Sequence, residues 1–266
     1  MSHPSETMEK APVRPTSDAA RFFDRTSANY REKYTRSSPF HHYYFNERLD
    51  KATRGLELNG RNVLDIGSGT GNLYDHLLPR FPGMHFFATD VSAGMLSQSL
   101  VPEADRFVGF AYDHPFAQRT FDAVFMLGVT TYMDAAELER NLSFIARSLS
   151  PGGQAIITFT HSGGLDTWMR WLLKLPLRLF GSRDKVLSSG VRTRTYGVDE
   201  AKKALASHLT INRLEFHNHT VFPFGLLLPG LSIALAARID RLAPTNPMHR
   251  WLSSDIIVRC SAKRLP

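Results

Sequence analysis

Three glycines spaced two apart, Gly67, Gly69 and Gly71, join a strand-like run to a helix-like one in VLDIGSGTGNL, residues 63–73. Glycine reaches positive φ and lets backbone N–H groups approach a ligand with no Cβ in the way, so this turn can hold a polar or anionic group. The spacing is GxGxG, not the GxGxxG of dinucleotide sites, and no phosphate-loop lysine follows. Many βα turns carry glycine for structural reasons alone, so a second element must decide. Asp90 supplies it. In HFFATDVSAGML (85–96) it ends the next strand, about twenty residues on, where a carboxylate accepts both hydroxyls of a ribose. Such charge-assisted bonds contribute about 1.5–3 kcal/mol each, enough to orient a nucleoside. Taken alone, Asp90 reads more often as a helix N-terminal acid or cap.

These residues must be positioned by an alternating chain. With 42% hydrophobic and 21% charged residues among 266, the protein buries one sizeable core. Apolar runs at 62–67, 85–90, 105–111, 121–127 and 154–160 read as strands. Helix-like stretches lie between them, the longest with Leu138, Leu142, Ile145 and Leu149 at helical spacing. This order requires right-handed crossovers and a mostly parallel sheet covered on both faces. Residues 30–58 read as helices over the sheet's carboxyl edge. The rhythm breaks over 161–197, an insertion or lid, and an apolar segment follows at 221–243. A helix, VDEAKKALASHL, and two late strands, TINRLEFHNH and SDIIVRCSAKR, suggest an antiparallel edge. Residues 1–20 read as a disordered tail without an apolar leader core, so that 21–266 form the domain. The single cysteine, Cys260, excludes an intrachain disulfide and a cysteine zinc cluster, which points to the cytoplasm.

Four motifs in order, LDIGSGTG, TDVSAGML, FDAVFMLGVTTYM and LSPGGQAIITF, make residues 63–160 resemble the class I S-adenosylmethionine-dependent methyltransferases. The resemblance implies an α/β, Rossmann-like doubly wound sheet of about seven strands, with N-terminal helices and a helical insertion after strand five. It implies S-adenosyl-L-methionine as cofactor. Asp65, Gly67, Ser68 and Gly69 would hold its methionine end, Asp90 its ribose, and Val91 and Met95 its adenine, with Leu127 beside the reacting centre. Where similar enzymes carry an acid for the adenine amino group, this chain reads FAYDHPF. The Ala111 backbone with a stacked Phe110, or a shifted Asp113, must serve, and Phe110 is equally readable as core. Upstream, RFFDRTSANYREKY resembles the approach helix of small-molecule members, with Phe22, Tyr30 and Tyr34 closing over a sulfonium. An aromatic helix merely packed on the sheet is the alternative.

Methyl transfer to oxygen or nitrogen needs alignment and a base. The base is sought on the carboxyl-edge loops: His161 directly after strand five first, then His41, His42 and Tyr132. LGVT stands where the DNA amino-methylating enzymes carry a proline-rich tetrapeptide, and Cys260 is misplaced for a cytosine nucleophile, so DNA is excluded. The absence of a recognisable RNA-binding module argues against RNA. His217 and His219 share a strand face, but two ligands without a third make a poor metal site, so none is expected.

The net charge of +7 is concentrated: between Leu165 and Arg194 seven basic residues face two acidic ones. Asp166, Arg170, Lys174 and Arg178 form a polar stripe amid Trp and Leu, a basic amphipathic surface suited to an anionic membrane. The 221–237 run is short and broken by Pro223 and Pro229, so it dips or forms a lid and does not span. The acceptor is therefore expected to be a small hydrophobic or lipid-linked metabolite, with the protein peripheral at the inner membrane face. A lid sealing a soluble acceptor is the plainer reading. The same sequence would also suit an RNA or protein methyltransferase, or a non-catalytic S-adenosylmethionine-binding regulator.

Overall fold

The computed structural model describes residues 18–35, 39–114, 119–170, 172 and 193–263. Its centre is a seven-stranded sheet in the order β3-β2-β1-β4-β5-β7-β6. The strands are β1 (Asn62–Ile66), β2 (His85–Asp90), β3 (Arg106–Val108), β4 (Phe121–Met126), β5 (Leu149–Thr160), β6 (Leu209–His217) and β7 (Asp255–Ala262). β1 pairs in parallel with β2 and β4, and β4 with β5. β7 is the antiparallel strand, inserted between β5 and the outermost β6.

Alternation along the strands divides the core into two layers, because successive side chains leave opposite faces of a sheet. Leu64, Val124, Ile157 and Val258 pack on one side, against Leu138, Leu142 and Ile145 of α5 (Ala135–Ser148). Val63, Phe125, Ile156 and Ile257 pack on the other, against Leu49 and Ala52 of α2 (Pro39–Thr53) and Leu73 and Leu77 of α3 (Asn72–Leu77). Burial on both faces is why these strands read as continuous apolar runs. α5 opens on a capping box of Asp134 and Glu137. It stops at Ser148, one residue short of the expected Leu149, which opens β5 ahead of Pro151.

Two other boundaries differ from expectation. Residues 18–20, assigned to the tail, begin α1 (Asp18–Thr35), because Ala20 is buried against the body. After α6 (Val198–Ala206), which leads into β6, the segment 221–243 is two helices, α7 (Phe224–Leu227) and α8 (Pro229–Ile239), preceding α9 (Pro247–Leu252). Of the 161–197 insertion only the ends are described: 165–170 are helical, and His161 bridges Tyr196. Lys174 and Arg178 of the basic stripe lie outside the described residues, as do residues 1–17 of the tail. Among the described residues no helix is long and apolar enough to cross a membrane.

Candidate active-site cleft

The strand order reverses between β1 and β4, and the crevice beyond their carboxyl ends is where open α/β sheets bind ligands. A cleft of about 270 Å³ lies there, joined to a recess of about 80 Å³, with Gly67 and Asp90 lining both. Gly67, Gly69 and Gly71 all have positive φ, +71°, +57° and +80°. At Gly67 a Cβ would also overlap the side chain of Val129. The turn is therefore possible only with glycine at this position.

Three amides of this turn, which the sequence offers to a ligand, are engaged within the protein. Those of Gly67 and Ser68 donate to the Thr89 carbonyl at 2.8 and 2.9 Å, stitching the turn to β2. The Gly69 amide donates to Asp90 Oδ2 at 2.8 Å, and that of Ser92 to Oδ1 at 2.8 Å. Asp90 is thus a carboxylate aimed by two backbone donors, in no ion pair among the described residues. Burial pushes its carboxyl up to about 6, against the pull of the two amides. Asp65, at the end of β1, is pushed by burial up to about 7.

Ser92 caps α4 (Ala93–Ser97) by accepting from the Met95 amide. α1 is pinned across this helix start: Asp24 accepts from Ser92 Oγ at 2.6 Å and from the Gly94 amide at 2.9 Å. This brings Phe23 over both recesses, edge-on to Tyr132 at 5.0 Å and to Tyr30 at 6.0 Å. Of the three aromatics expected to close over the cleft, Tyr30 lines it and Phe22 does not. The Tyr34 side chain lies outside the described ones.

The expected cofactor residues gather without exception. Asp65, Gly67, Ser68, Gly69, Asp90, Met95, Leu127 and Tyr30 line the larger cleft. Val91, Phe110 and Ala111 line the smaller recess, where Phe110 stacks on Tyr112 at 5.1 Å. Asp113 lines neither.

His161 is not brought to the cleft. Thr160 lines it, and the next residue along a strand points the other way. The imidazole is buried, with Nδ1 3.1 Å from Ser253 Oγ, and burial lowers its pKa. His41 does not line the cleft either, and His42 lines only a separate surface pocket. Tyr132 lines it.

Three residues that the sequence did not single out do face the cleft: Tyr44 and Arg48 of α2, and Asp255 at the start of β7. The Tyr44 hydroxyl donates to Asp255 Oδ2 at 2.7 Å, and burial first, then Asp255, drives the phenol pKa well up. The Arg48 guanidinium lies 4.9 Å from the centre of the Phe45 ring, and its Nε is buried without a hydrogen-bond partner. The spacing Tyr44, Phe45, Arg48 on one helix face was the available signal.

Behind this wall His217 and His219 diverge. His217 stacks on Tyr44 at 5.8 Å and meets Glu47 at 2.9 Å. His219 meets Asp240 at 2.9 Å and His249 at 3.3 Å, so it acquires the further partners that the sequence did not supply.

Comparison with known proteins follows the same lines. A family profile described as a methyltransferase domain matches residues 63–153. An uncharacterized methyltransferase of Mycobacterium tuberculosis is 24% identical over 222 residues, 69% of this chain and 86% of that protein. The malonyl-[acyl-carrier protein] O-methyltransferase of Methylococcus capsulatus is 33% identical over 131 residues, 47% of each. The crystal structure of the N-methyltransferase NodS from Bradyrhizobium japonicum, in complex with S-adenosyl-L-homocysteine, has a similar fold. Its TM-score is 0.58 at 12% identity, covering 93% of this chain and 100% of that one.

Proposed function

We propose that this chain, a class I S-adenosylmethionine-dependent methyltransferase, methylates a small hydrophobic or lipid-linked metabolite that enters beside α7 and α8. S-Adenosylmethionine supplies an electrophilic methyl group on a sulfonium. The residues fit this group on two counts. Asp90 is a carboxylate held ready at the junction of the two recesses, suited to a ribose diol. Asp65 and the Arg48 guanidinium offer opposite charges in one cleft to an amino acid's ammonium and carboxylate. Val91, Phe110 and Ala111 give the adenine an apolar slot, and Phe23 and Tyr30 add aromatic walls to the cleft.

On the acceptor side, Asp255 and Tyr44 take the role that position in sequence gave to His161. Asp255 is an acceptor only, and its Tyr44 bond fixes its direction. A hydroxyl or amine acceptor donates its proton toward this carboxylate as the methyl group arrives.

One observation carries the reading of the acceptor class. Phe224, Leu227, Leu228, Leu231 and Leu235 form an exposed apolar face on α7 and α8, with Leu227 70% exposed. Such a contiguous face marks a partner or membrane contact. It is joined to the cleft: Gly225 packs so tightly on Phe40 that a Cβ would lie 2.6 Å from its ring, and Phe40 stacks on Tyr44 at 6.4 Å. The RNA reading rests on the 165–194 segment, most of which lies outside the described residues.

The test has two arms. Whole-cell lipid and polar extracts are incubated with methyl-labelled donor, and label in the lipid fraction is expected. Sedimentation with anionic vesicles then compares the protein with Leu227→Ser/Leu231→Ser. Label confined to polar products, or equal sedimentation of both proteins, overturns the acceptor assignment.

A further inference from the structure

We propose that His219, Asp240 and His249 bind one divalent first-row transition ion, of the zinc type, behind the acceptor wall. The three come from separate segments: His219 just after β6, Asp240 at the C-terminal cap of α8, and His249 within α9. Each offers one ligand atom, and these atoms lie within 4.8 Å of one another.

The proton positions favour ligation. His249 Nε2 lies 3.3 Å from the Leu242 carbonyl oxygen, which can only accept, so Nε2 carries the ring proton. Nδ1 is then a lone pair. A backbone carbonyl behind one nitrogen is the usual device that fixes a ligating histidine's tautomer. The Nδ1 lone pair of His249 faces His219 Nε2 at 3.3 Å. Two nitrogens bound at about 2.0–2.1 Å to one tetrahedral ion stand about 3.3 Å apart.

A plain hydrogen bond between the two rings leaves a remainder. His219 is fully buried at its side chain, and Nδ1 lies 2.9 Å from Asp240 Oδ1, so a neutral ring that donates through Nε2 to His249 turns its second lone pair on this carboxylate. An ion bound at Nε2 removes that conflict, because Nδ1 then carries the ring proton and points it at Asp240. Asp240 is the adjustable member: its side chain keeps 23% exposure, so it can rotate to close the longest separation and leave a coordination position for water.

The surrounding charges do not forbid an ion. Lys51 Nζ sits 2.8 Å from Asp240 Oδ1, but Glu47 lies 2.5 Å from the same ammonium. With neutral histidines, Glu47, Lys51 and Asp240 sum to one negative charge, which a divalent ion turns to one positive. The Tyr43 hydroxyl also bonds Asp240. The ion would tie the end of β6 to α8 and α9, the helices beside the exposed apolar face, and so acts as a clamp.

The experiment uses the full chain, stripped with a chelator and titrated first with Co²⁺, then with Zn²⁺. One equivalent of Co²⁺ with the intense visible bands of a low-coordinate site is expected, displaced by Zn²⁺, with a higher melting temperature of the zinc form. His249→Gln and Asp240→Asn should each weaken Zn²⁺ binding at least about tenfold. Because Asp240 also holds Lys51, circular dichroism must show both variants folded, and the His249→Gln result decides if Asp240→Asn is not. A spectrum no different from aqueous cobalt, or undiminished affinity in folded His249→Gln, overturns the site.

Discussion

The two halves of the cleft are built by different means. The half proposed for the nucleoside is organised by backbone: a turn of positive-φ glycines and a capped α4 aim the Asp90 carboxylate through two amides, all within residues 62–97. The half proposed for the acceptor is made of side chains that meet across the chain. Tyr44 and Asp255 are 211 residues apart, and His217 and Glu47 support them from a third segment and the same helix. Backbone geometry tolerates exchange of its side chains as long as glycine stays where glycine is needed. A side-chain constellation has no such tolerance, since each member is a single chemical group. The first half therefore suits a constant cosubstrate, and the second is free to diverge with the acceptor.

The sharpest way to break this contrast is Asp255→Asn. Its kcat should fall by about 10²–10⁴ with cofactor affinity within about twofold of the parent, read by steady-state kinetics and calorimetry. Loss of cofactor affinity instead would merge the two halves. Asp90→Asn should do the converse, weakening cofactor binding about 10- to 100-fold, the worth of one charge-assisted bond, without unfolding the protein.

A pH series sharpens the comparison further. Burial raises the carboxyls of Asp65 and Asp90 to about 7 and 6, above the ordinary 3.8. Between pH 4 and 7 the folded state thus binds more protons than the unfolded one, so these two groups contribute stability below pH 4 that is lost as pH rises to 7. Cofactor binding requires both ionised and should tighten over pH 6–7. Melting curves should show a shallower loss with pH in Asp65→Asn. An unchanged slope would mean that Asp65 is not the group titrating. The smallest effect belongs to His161→Gln: a melting temperature lower by a few degrees from the lost Ser253 contact, with kcat within about threefold.

Much of the nucleoside half was legible in advance because its signals are local. Gly67 and Asp90 are close in sequence, and the family resemblance named Val91 and Met95 beside them. Strand alternation at the end of β5 shows why His161 does not reach the cleft: Thr160 faces it, and the next residue points the other way. Arg48 was hidden because a basic residue on a polar helix resembles any solvated charge until Tyr44 and Phe45 are seen beneath it. His219 looked like a lone ligand because its companions lie at 240 and 249, on helices whose packing no local pattern specifies.

The sequence by itself determined the strand order's parallel core, the glycine turn and the acid that follows it, because these depend on φ preferences and on periodicity within a few tens of residues. Only the tertiary structure decided which titratable groups face the cleft and which face one another behind it. A side chain's direction there follows from how separate helices dock on the sheet, and docking is a property of the packed whole.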